Sequence, residues 1–421
     1  MNYWHWLFER VKRQLWWRVV AYGVAGILAA VLGLVMEEVF LWDIPFDLSA
    51  DAVESLLNII ASSMLAVTTF SLGVMTAAFG AATTNVTPRA TKLLMEDELT
   101  NSVLSTFIGA FLFSIVGIIV LKTGSYGERG RVVLFLITIV VIGLVVIQLL
   151  RWINHLISLG RVGATIDRVE AATSAAIDER LAVPYLGARP WFDVSMVPPG
   201  ALPVYARAIG YIQFIDLRAI SHLCDEAGCE AYLPSNPGTF VFEDTVVAWL
   251  HAPEGLPDHV AGKINSHFII EATRSFDQDP RFGLAVMAEI GSRALSPATN
   301  DPGTAIDVIG RLTRLLARWA TGRSEVPVDF PRLHLHPLSD DDLFEDAFML
   351  MARDGAGLIE VQLRLQKSLA ALQRQGSESF RQAAQKQAAI ALQRSDKALV
   401  CAADQQRLAT FRSESAASSV S

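Results

Sequence analysis

Charge is scarce in this sequence. Asp, Glu, Lys and Arg together make up 19% of the 421 residues, whereas hydrophobic residues make up 52%. Ordinary soluble domains carry about 25% charged residues, so the chain as a whole is too apolar for that class. The deficit is uneven, because charge is sparse before residue 155 and normal after it. We therefore expect a membrane half followed by a soluble half.

Cysteine is rare as well. The three cysteines, Cys224, Cys229 and Cys401, all lie in the second half of the chain. Their odd number argues against a disulfide framework and favours a reducing compartment. The spacing of Cys224 and Cys229 fits neither a zinc knuckle nor a redox pair.

Motifs of the common enzyme classes are missing. The sequence has no Walker loop, no dinucleotide fingerprint and no kinase motif set. It also shows no nucleophile beside a base and no cluster of metal ligands. His334 and His336 precede a run of aspartates, but we assign this stretch to a polar linker rather than to a metal site. We expect no catalytic residues, no cofactor and no metal, and hence no enzyme.

Positive charge is in deficit. The formal net charge is −8 at pH 7. The basic residues form no stripe and no zinc-finger spacing, so we expect no nucleic-acid partner. The partners that remain are membrane lipid, small ions and further copies of the chain.

Four apolar runs are long enough to cross a bilayer, which takes about 20 helical residues. They cover residues 19–36, 55–88, 103–121 and 132–150. Residues 1–18 are rich in Trp and Arg, which is typical of the membrane interface. Four spans place both termini on one side, and bases at residues 1–18 and after residue 150 predict that this side is cytoplasmic. The short loop with Lys122, Arg129 and Arg131 argues for the opposite orientation but carries fewer bases.

The second run, residues 55–88, contains a stripe of small and hydroxylated residues. At alternating spacings of four and three, these residues share one helix face. The stripe consists of Ser62, Ala66, Thr69, Gly73, Thr76, Gly80 and Thr83, and Thr87 continues it. Such a face either packs closely against another helix or lines a path for water and ions. The sequence leaves both alternatives open.

The soluble half divides by composition and pattern. We expect a helical stalk at 156–183 that continues the fourth span, a small β-rich module at 184–255 and a helical module at 256–322. A polar linker at 323–342 would follow, then an antiparallel helical pair at 343–412 and a disordered tail at 413–421. The predicted fold class is an α-helical membrane protein with four transmembrane helices and a cytosolic α+β region.

The densest group of polar residues lies in the predicted helical module. It comprises Arg274, Asp279, Glu289, Arg293, Asn300 and Asp301. Two helix N-termini and two arginines could hold an anion, which makes this a possible ligand site. The alternative is structural: Asp279 and Asp301 each precede a proline and would be N-caps, while Glu289 and Arg293, four residues apart, would pair along a helix.

Several motifs resemble a family of bacterial predicted membrane proteins, the domain-of-unknown-function family 2254. The strongest is the block from Arg293 to Pro302, similar to the Ser-Pro-x-x-Asn-Asp-Pro pattern of that family, followed by Thr304 and Ala305. Further similar residues are Phe70-Ser71, Pro88-Arg89, Asp279-Pro280 with Phe282-Gly283, and the turn Pro237-Gly238-Thr239-Phe240-Val241. The resemblance implies a multi-pass protein of the bacterial inner membrane and brings no established activity.

Three function classes are compatible with these features. The first is a homo-oligomeric channel for small ions, with the second span lining the pore and the cytosolic region regulating it. The second is a membrane-tethered sensor or assembly protein without transport activity, and the third is a membrane enzyme. We rank them in this order, with the channel narrowly ahead of the sensor and the enzyme last. The absence of charge inside the spans argues against a proton-coupled transporter.

Overall fold

The computed structural model describes residues 15–39, 49–95, 97–124, 127–157, 160–253, 255–322 and 328–418. The chain forms two compact units. The helical unit comprises residues 4–84 and 91–164, and the α+β unit comprises residues 85–90 and 165–421. Residues 85–90 therefore belong to the α+β unit although the chain on both sides of them belongs to the helical unit.

The described part of the first half is helical. Its helices are α1 (Leu15–Val39), α2 (Ala50–Asn85), α3 (Pro88–Met95), α4 (Glu98–Lys122) and α5 (Glu128–Leu156). Residues 1–14 and 40–48, which include most of the predicted interfacial segment as well as Asp43 and Asp47, lie outside the described residues.

Three of these helices are long and apolar enough to cross a membrane. The membrane segments are Ala50–Ala81 in α2, Glu98–Lys122 in α4 and Glu128–Leu156 in α5. Helix α1 contributes a shorter described apolar segment, Val19–Leu32. The structure thus supports three membrane helices, and the fourth span stays a prediction.

Helices α1 and α4 cross at a point of backbone contact. A Cβ atom built on Gly26 would lie 2.5 Å from the carbonyl oxygen of Gly109, so no larger residue fits there. Such small-residue crossings are typical of membrane helices, whose association depends on close packing. The contact shows that α1 is part of the helical unit's packing.

A polar cluster joins the ends of α4 and α5. The Asp97 carboxylate accepts a hydrogen bond from the Thr100 amide at 2.9 Å and so caps α4. The same carboxylate lies 2.9 Å from Nε2 of His155, and both side chains are nearly buried. The arrangement satisfies a free amide at the start of α4 and fixes that end against the last turn of α5.

The α+β unit alternates short strands with helices. The strands are β1 (Ala188–Pro190), β2 (Leu202–Tyr205), β3 (Gly210–Ile215), β4 (Glu230–Leu233), β5 (Phe240–Val241), β6 (Val246–His251), β7 (Phe268–Glu271) and β8 (Phe330–Leu335). The helices are α6 (Val162–Ala182), α7 (Leu217–Ala227), α8 (Asp258–Asn265), α9 (Pro280–Ala294), α10 (Pro302–Ala320), α11 (Asp340–Asp354), α12 (Ile359–Leu372), α13 (Glu378–Ala398) and α14 (Ala402–Ser418).

Two small sheets contribute to the core of this unit. The first has the strand order β1-β8-β4-β6-β2, with β1, β8 and β4 parallel and the remaining neighbours antiparallel. The second is antiparallel, with the order β5-β3-β7. Apolar side chains such as Ile212, Ile220, Leu250 and Leu335 are fully or almost fully buried between strands and helices. Burial of apolar area of this kind is the main stabilising contribution to the fold.

The predicted stalk does not continue the helix of the last apolar run. Helix α5 ends at Leu156 and α6 starts at Val162, with Gly160 at a positive φ of 80° in between. From Thr165 onward α6 packs within the α+β unit.

Acidic residues of α6 pair with arginines of α10. The ion pairs join Arg311 to Asp167 and Glu170, Arg314 to Glu170, and Arg318 to Asp178.

The predictions beyond residue 322 need three corrections. The supposed polar linker contains strand β8, because pairing with β1 and β4 buries Leu333 and Leu335. The predicted C-terminal pair is four helices, α11 to α14, and the break between α11 and α12 falls in a glycine-containing segment, residues 355–358. The predicted disordered tail is helical through Ser418, and residues 419–421 lie outside the described residues. The predicted helical module at 256–322 also needs a correction, because it contains strand β7.

A buried carboxylate joins the second sheet to α9. Asp279 is 1% exposed and receives two hydrogen bonds from Arg274, at 2.7 and 3.0 Å. It also accepts from the Phe282 amide, so the predicted N-cap is confirmed. Burial raises the pKa of the Asp279 carboxyl, and the Arg274 guanidinium acts in the opposite direction. Gly238 abuts this carboxylate at a φ of 92°, in the turn before β5.

We predict that Gly238→Ala destabilises the α+β unit strongly. A Cβ atom there would lie 2.2 Å from Oδ2 of Asp279 and would displace one partner of a buried ion pair, which costs about 3–5 kcal/mol. Gly200→Ala is the matched control, because its φ is 85° but a Cβ would meet no atom within 4 Å. The control should cost only the left-handed strain, about 1–2 kcal/mol. Thermal melting of the solubilised chain measures the difference, and equal melting temperatures for the two variants would contradict the prediction.

Candidate functional site

The seven residues of the α2 stripe are all exposed. The solvent-accessible positions are Ser62, Ala66, Thr69, Gly73, Thr76, Gly80 and Thr83. A Cβ atom on Gly73 would meet no atom within 4 Å. The other side of the same helix is buried, at Val53, Leu57, Ile60, Met64 and Ser71. Within the described chain, α2 therefore packs through its opposite face and leaves the stripe uncovered.

The stripe hydroxyls bond to their own helix. Thr76 donates to the Leu72 carbonyl at 2.8 Å, and Thr83 donates to the Phe79 carbonyl at 2.8 Å. Ser62 and Thr69 make equivalent bonds one turn back. Each hydroxyl therefore has its proton satisfied and still presents oxygen lone pairs on the helix surface.

The predicted polar cluster separates into distinct contacts. Arg274 and Asp279 pair with each other in the buried ion pair described above, so neither is available to a ligand. Asp301 caps α10 by accepting bonds from the amide and the hydroxyl of Thr304, at 3.1 and 2.6 Å, and this N-cap is also confirmed. Asn300 precedes it at a positive φ of 48°, a conformation that asparagine tolerates better than most residues. These four residues have structural roles.

The predicted pairing of Glu289 with Arg293 is wrong. Glu289 instead accepts hydrogen bonds from Arg89 and from the hydroxyl of Thr87, the latter at 3.0 Å. Both partners lie in residues 85–90, the segment that follows α2. Arg293 remains exposed, and its side chain has no ion pair with any residue that the structure describes. Sequence reasoning missed the contact because some 200 residues separate its partners.

A pocket of about 460 Å³ lies at the C-terminal end of α9. Its lining residues are Glu289, Ser292, Arg293, Leu295, Ser296, Pro297 and Asp354. It includes two members of the predicted cluster, Glu289 and Arg293, together with Asp354 of α11, which the sequence did not indicate. Ser292 donates a hydrogen bond of 2.5 Å to Asp354.

His334, which the sequence placed in a linker, is a buried strand residue. Its ring stacks on Tyr232 with centroids 4.3 Å apart, and its Nε2 lies 3.8 Å from Glu230. Burial lowers the pKa of His334, although Glu230 opposes the shift. Burial, with the hydrogen bond to Glu230, raises the pKa of Tyr232 to about 12. Among the described residues no group of three or more His, Cys, Asp or Glu side chains is placed to hold a metal.

The helices and the site together define the class: a predicted membrane protein with several apolar helices and an attached α+β region. This agrees with the comparison with protein families. The chain belongs to the DUF2254 family of predicted membrane proteins, whose model matches residues 12–371. No solved structure matches the chain.

Relatives of the chain are known in mycobacteria. Uncharacterized proteins of Mycobacterium bovis and of Mycobacterium tuberculosis strain H37Rv are each 27% identical to it over 235 residues. A third, from M. tuberculosis strain CDC 1551, is 26% identical over the same length. Each alignment covers 53% of this chain and 44% of the relative, so the chain spans less than half the length of the curated relatives it matches.

We predict that Asp301→Ala lowers the stability of the chain by about 1 kcal/mol at pH 7, through loss of the α10 cap. Asp301→Asn should retain most of it, because asparagine caps equally well. Hydrogen bonds from Thr304 lower the pKa of Asp301 in the fold. Its ionised form therefore stabilises the native state above the unfolded pKa of 3.8, and that contribution is lost as the pH falls through the folded value. Melting of the three proteins at pH 7 and at a pH well below 3.8 tests this, because the difference between wild type and the alanine variant should shrink at the lower pH. An alanine variant as stable as wild type at pH 7 would contradict the prediction.

Proposed function

We propose that the protein is a homo-oligomeric membrane channel for small ions, with α2 lining the pore and the α+β unit regulating it. The observation that carries this proposal is the uncovered stripe of α2, whose opposite face is buried. A single chain offers one such stripe, so a pore would need several copies around a shared axis. We propose no enzymatic activity and no nucleic-acid partner.

The length and chemistry of the stripe support a pore. From Ser62 to Thr83, a helix rises about 30 Å, close to the thickness of the hydrocarbon core. Exposed apolar side chains on other faces, such as Leu65 and Phe70, suit lipid or a neighbouring copy. Hydroxyl oxygens and small residues along one line leave room for water and supply weak ligands for ions.

Charges near the two ends favour cations slightly. The sequence places Glu37, Glu38, Asp43, Asp47 and Asp51 between the first two apolar runs, and Arg89 with Lys92 after the second. Glu289 pairs with Arg89 and so neutralises part of the positive charge at that end. Because hydroxyls alone discriminate weakly between ions, these end charges would set the preference.

We expect Thr76→Phe to abolish ion flux and to leave the assembled particle intact. A bulky ring on an exposed, uncovered face obstructs a pore but strains no packed contact in the described chain. Leu65→Phe on the same helix is the control, because Leu65 is exposed off the stripe. Flux into liposomes and particle size by gel filtration are the two measurements. Dissociation of the Thr76→Phe particle would instead favour a helix-packing role for the stripe.

We further propose four spans, a location in the bacterial inner membrane and cytoplasmic termini. Cys401 provides a native reporter, because it is exposed whereas Cys224 and Cys229 are buried. A membrane-impermeant maleimide should leave Cys401 unlabelled in intact cells and should label it after permeabilisation. Asp47→Cys in a Cys401→Ser background should show external labelling. External labelling of Cys401 would reverse the proposed orientation.

The second candidate is a membrane-tethered cytosolic sensor or assembly protein without transport activity. The pocket at Arg293 favours it, because a ligand site in the α+β unit does not require a pore. If liposomes containing the intact wild-type oligomer show no flux of several different ions, this candidate is favoured over the channel.

A further inference from the structure

The pocket at the end of α9 contains a guanidinium that the fold does not use. Arg293 is exposed at the pocket wall, and its side chain forms no ion pair with the residues that the structure describes. The other arginine of the predicted ligand cluster, Arg274, is committed to Asp279. Arg293 is therefore the lining side chain with donors left for a ligand.

The two carboxylates of the pocket are already neutralised. Glu289 pairs with Arg89, and Asp354 pairs with Arg353 at 2.7 Å. Burial alone would raise the pKa of Asp354, but hydrogen bonds from Arg353 and Ser292 lower it, and Arg394 acts in the same direction. Each pocket carboxylate thus has a guanidinium partner of its own, which leaves the charge of Arg293 uncompensated among the described residues. An uncompensated guanidinium at the pocket wall favours an anion and disfavours a cation.

We propose that this pocket binds a small anion bearing a phosphate or carboxylate group, with Arg293 as its principal ligand. A guanidinium donates two parallel hydrogen bonds to either group, which gives orientation as well as affinity. The volume of about 460 Å³ exceeds that of a bare oxyanion and leaves space for the remainder of a small metabolite. The hydroxyls of Ser292 and Ser296 donate to Asp354 and Thr299, so at the wall their oxygens can accept hydrogen bonds from donor groups of such a ligand.

A ligand bound in the pocket would change the contacts of residues 85–90, the segment that follows α2, because Glu289 belongs to both. This carboxylate lines the pocket and also holds Thr87 and Arg89. An anion beside Glu289 repels the carboxylate and attracts the same Arg89 guanidinium, which loosens the contact. This regulatory step rests on the proposed function, since it matters for conduction only if α2 lines a pore. Binding itself does not depend on that proposal.

Calorimetric titration of the solubilised full-length chain tests the site, with inorganic phosphate and with citrate as separate probes at constant ionic strength. Wild type should bind at least one probe saturably, and the preferred probe distinguishes a phosphate from a carboxylate site. Arg293→Gln should weaken binding by about tenfold or more, the loss expected for a charged hydrogen bond. Arg364→Gln, at an exposed arginine on α12, should bind as wild type does. Equal affinity in the Arg293→Gln variant, or no saturable binding of either probe to wild type, would overturn the proposal.

Hydrogen exchange of peptides covering residues 85–95 tests the coupling in the same preparation. Exchange should rise when the bound probe saturates wild type. In Glu289→Gln it should be high without the probe and change little on its addition. If exchange does not change in saturated wild type, the proposed coupling is rejected, but the proposed anion site is not. Neither measurement uses ion flux. Liposomes that show no ion flux would therefore reject only the proposed channel. A protein that conducts ions but binds neither anion would reject only the proposed anion site.

Discussion

The α+β unit depends on one buried carboxylate. Asp279 caps α9, binds the Arg274 guanidinium and contacts the turn at Gly238, so it fixes the start of that helix against the second sheet. A buried pair of this kind is costly to break, because the remaining partner would be a charge without compensation. Once the start of α9 is fixed, the positions of Glu289 and Arg293 further along the helix follow from helical geometry. The cap therefore helps to position the α9 side chains that line the pocket.

Local features of this region could be predicted from the sequence, because their causes are local. Asp279 and Asp301 are recognisable as N-caps since each precedes a proline and the bonded amide lies three residues ahead. The helix at 217–227 ends at a glycine with a left-handed backbone, which is a sequence signal of the same local kind. The hydroxyl stripe of α2 also needed only helical periodicity. In each of these cases the bonds or faces concerned lie within one helix.

Features that depend on distant pairing could not be predicted. Strand β8 contains Pro331 and a histidine, so its sequence resembles a polar linker, and its burial results from two parallel neighbours in the first sheet. Glu289 has a potential partner four residues away in Arg293, yet it bonds to residues some 200 positions earlier. The face on which α2 packs is a third case: periodicity identifies the stripe, but only the tertiary structure shows that the stripe is uncovered.

Two of the ion pairs made by α9 and its N-cap differ in a way that suits a regulated contact. The Arg274–Asp279 pair is buried, and it holds the start of the helix in one position. The Arg89–Glu289 pair is more accessible, with side chains 58% and 25% exposed. Accessible pairs contribute about 0–1 kcal/mol, because water competes for both charges. A contact of that strength can be released by a bound ion of comparable charge without unfolding the helix that carries it. The link between Glu289 and residues 85–90 within the α+β unit is thus of the strength that the proposed regulation requires.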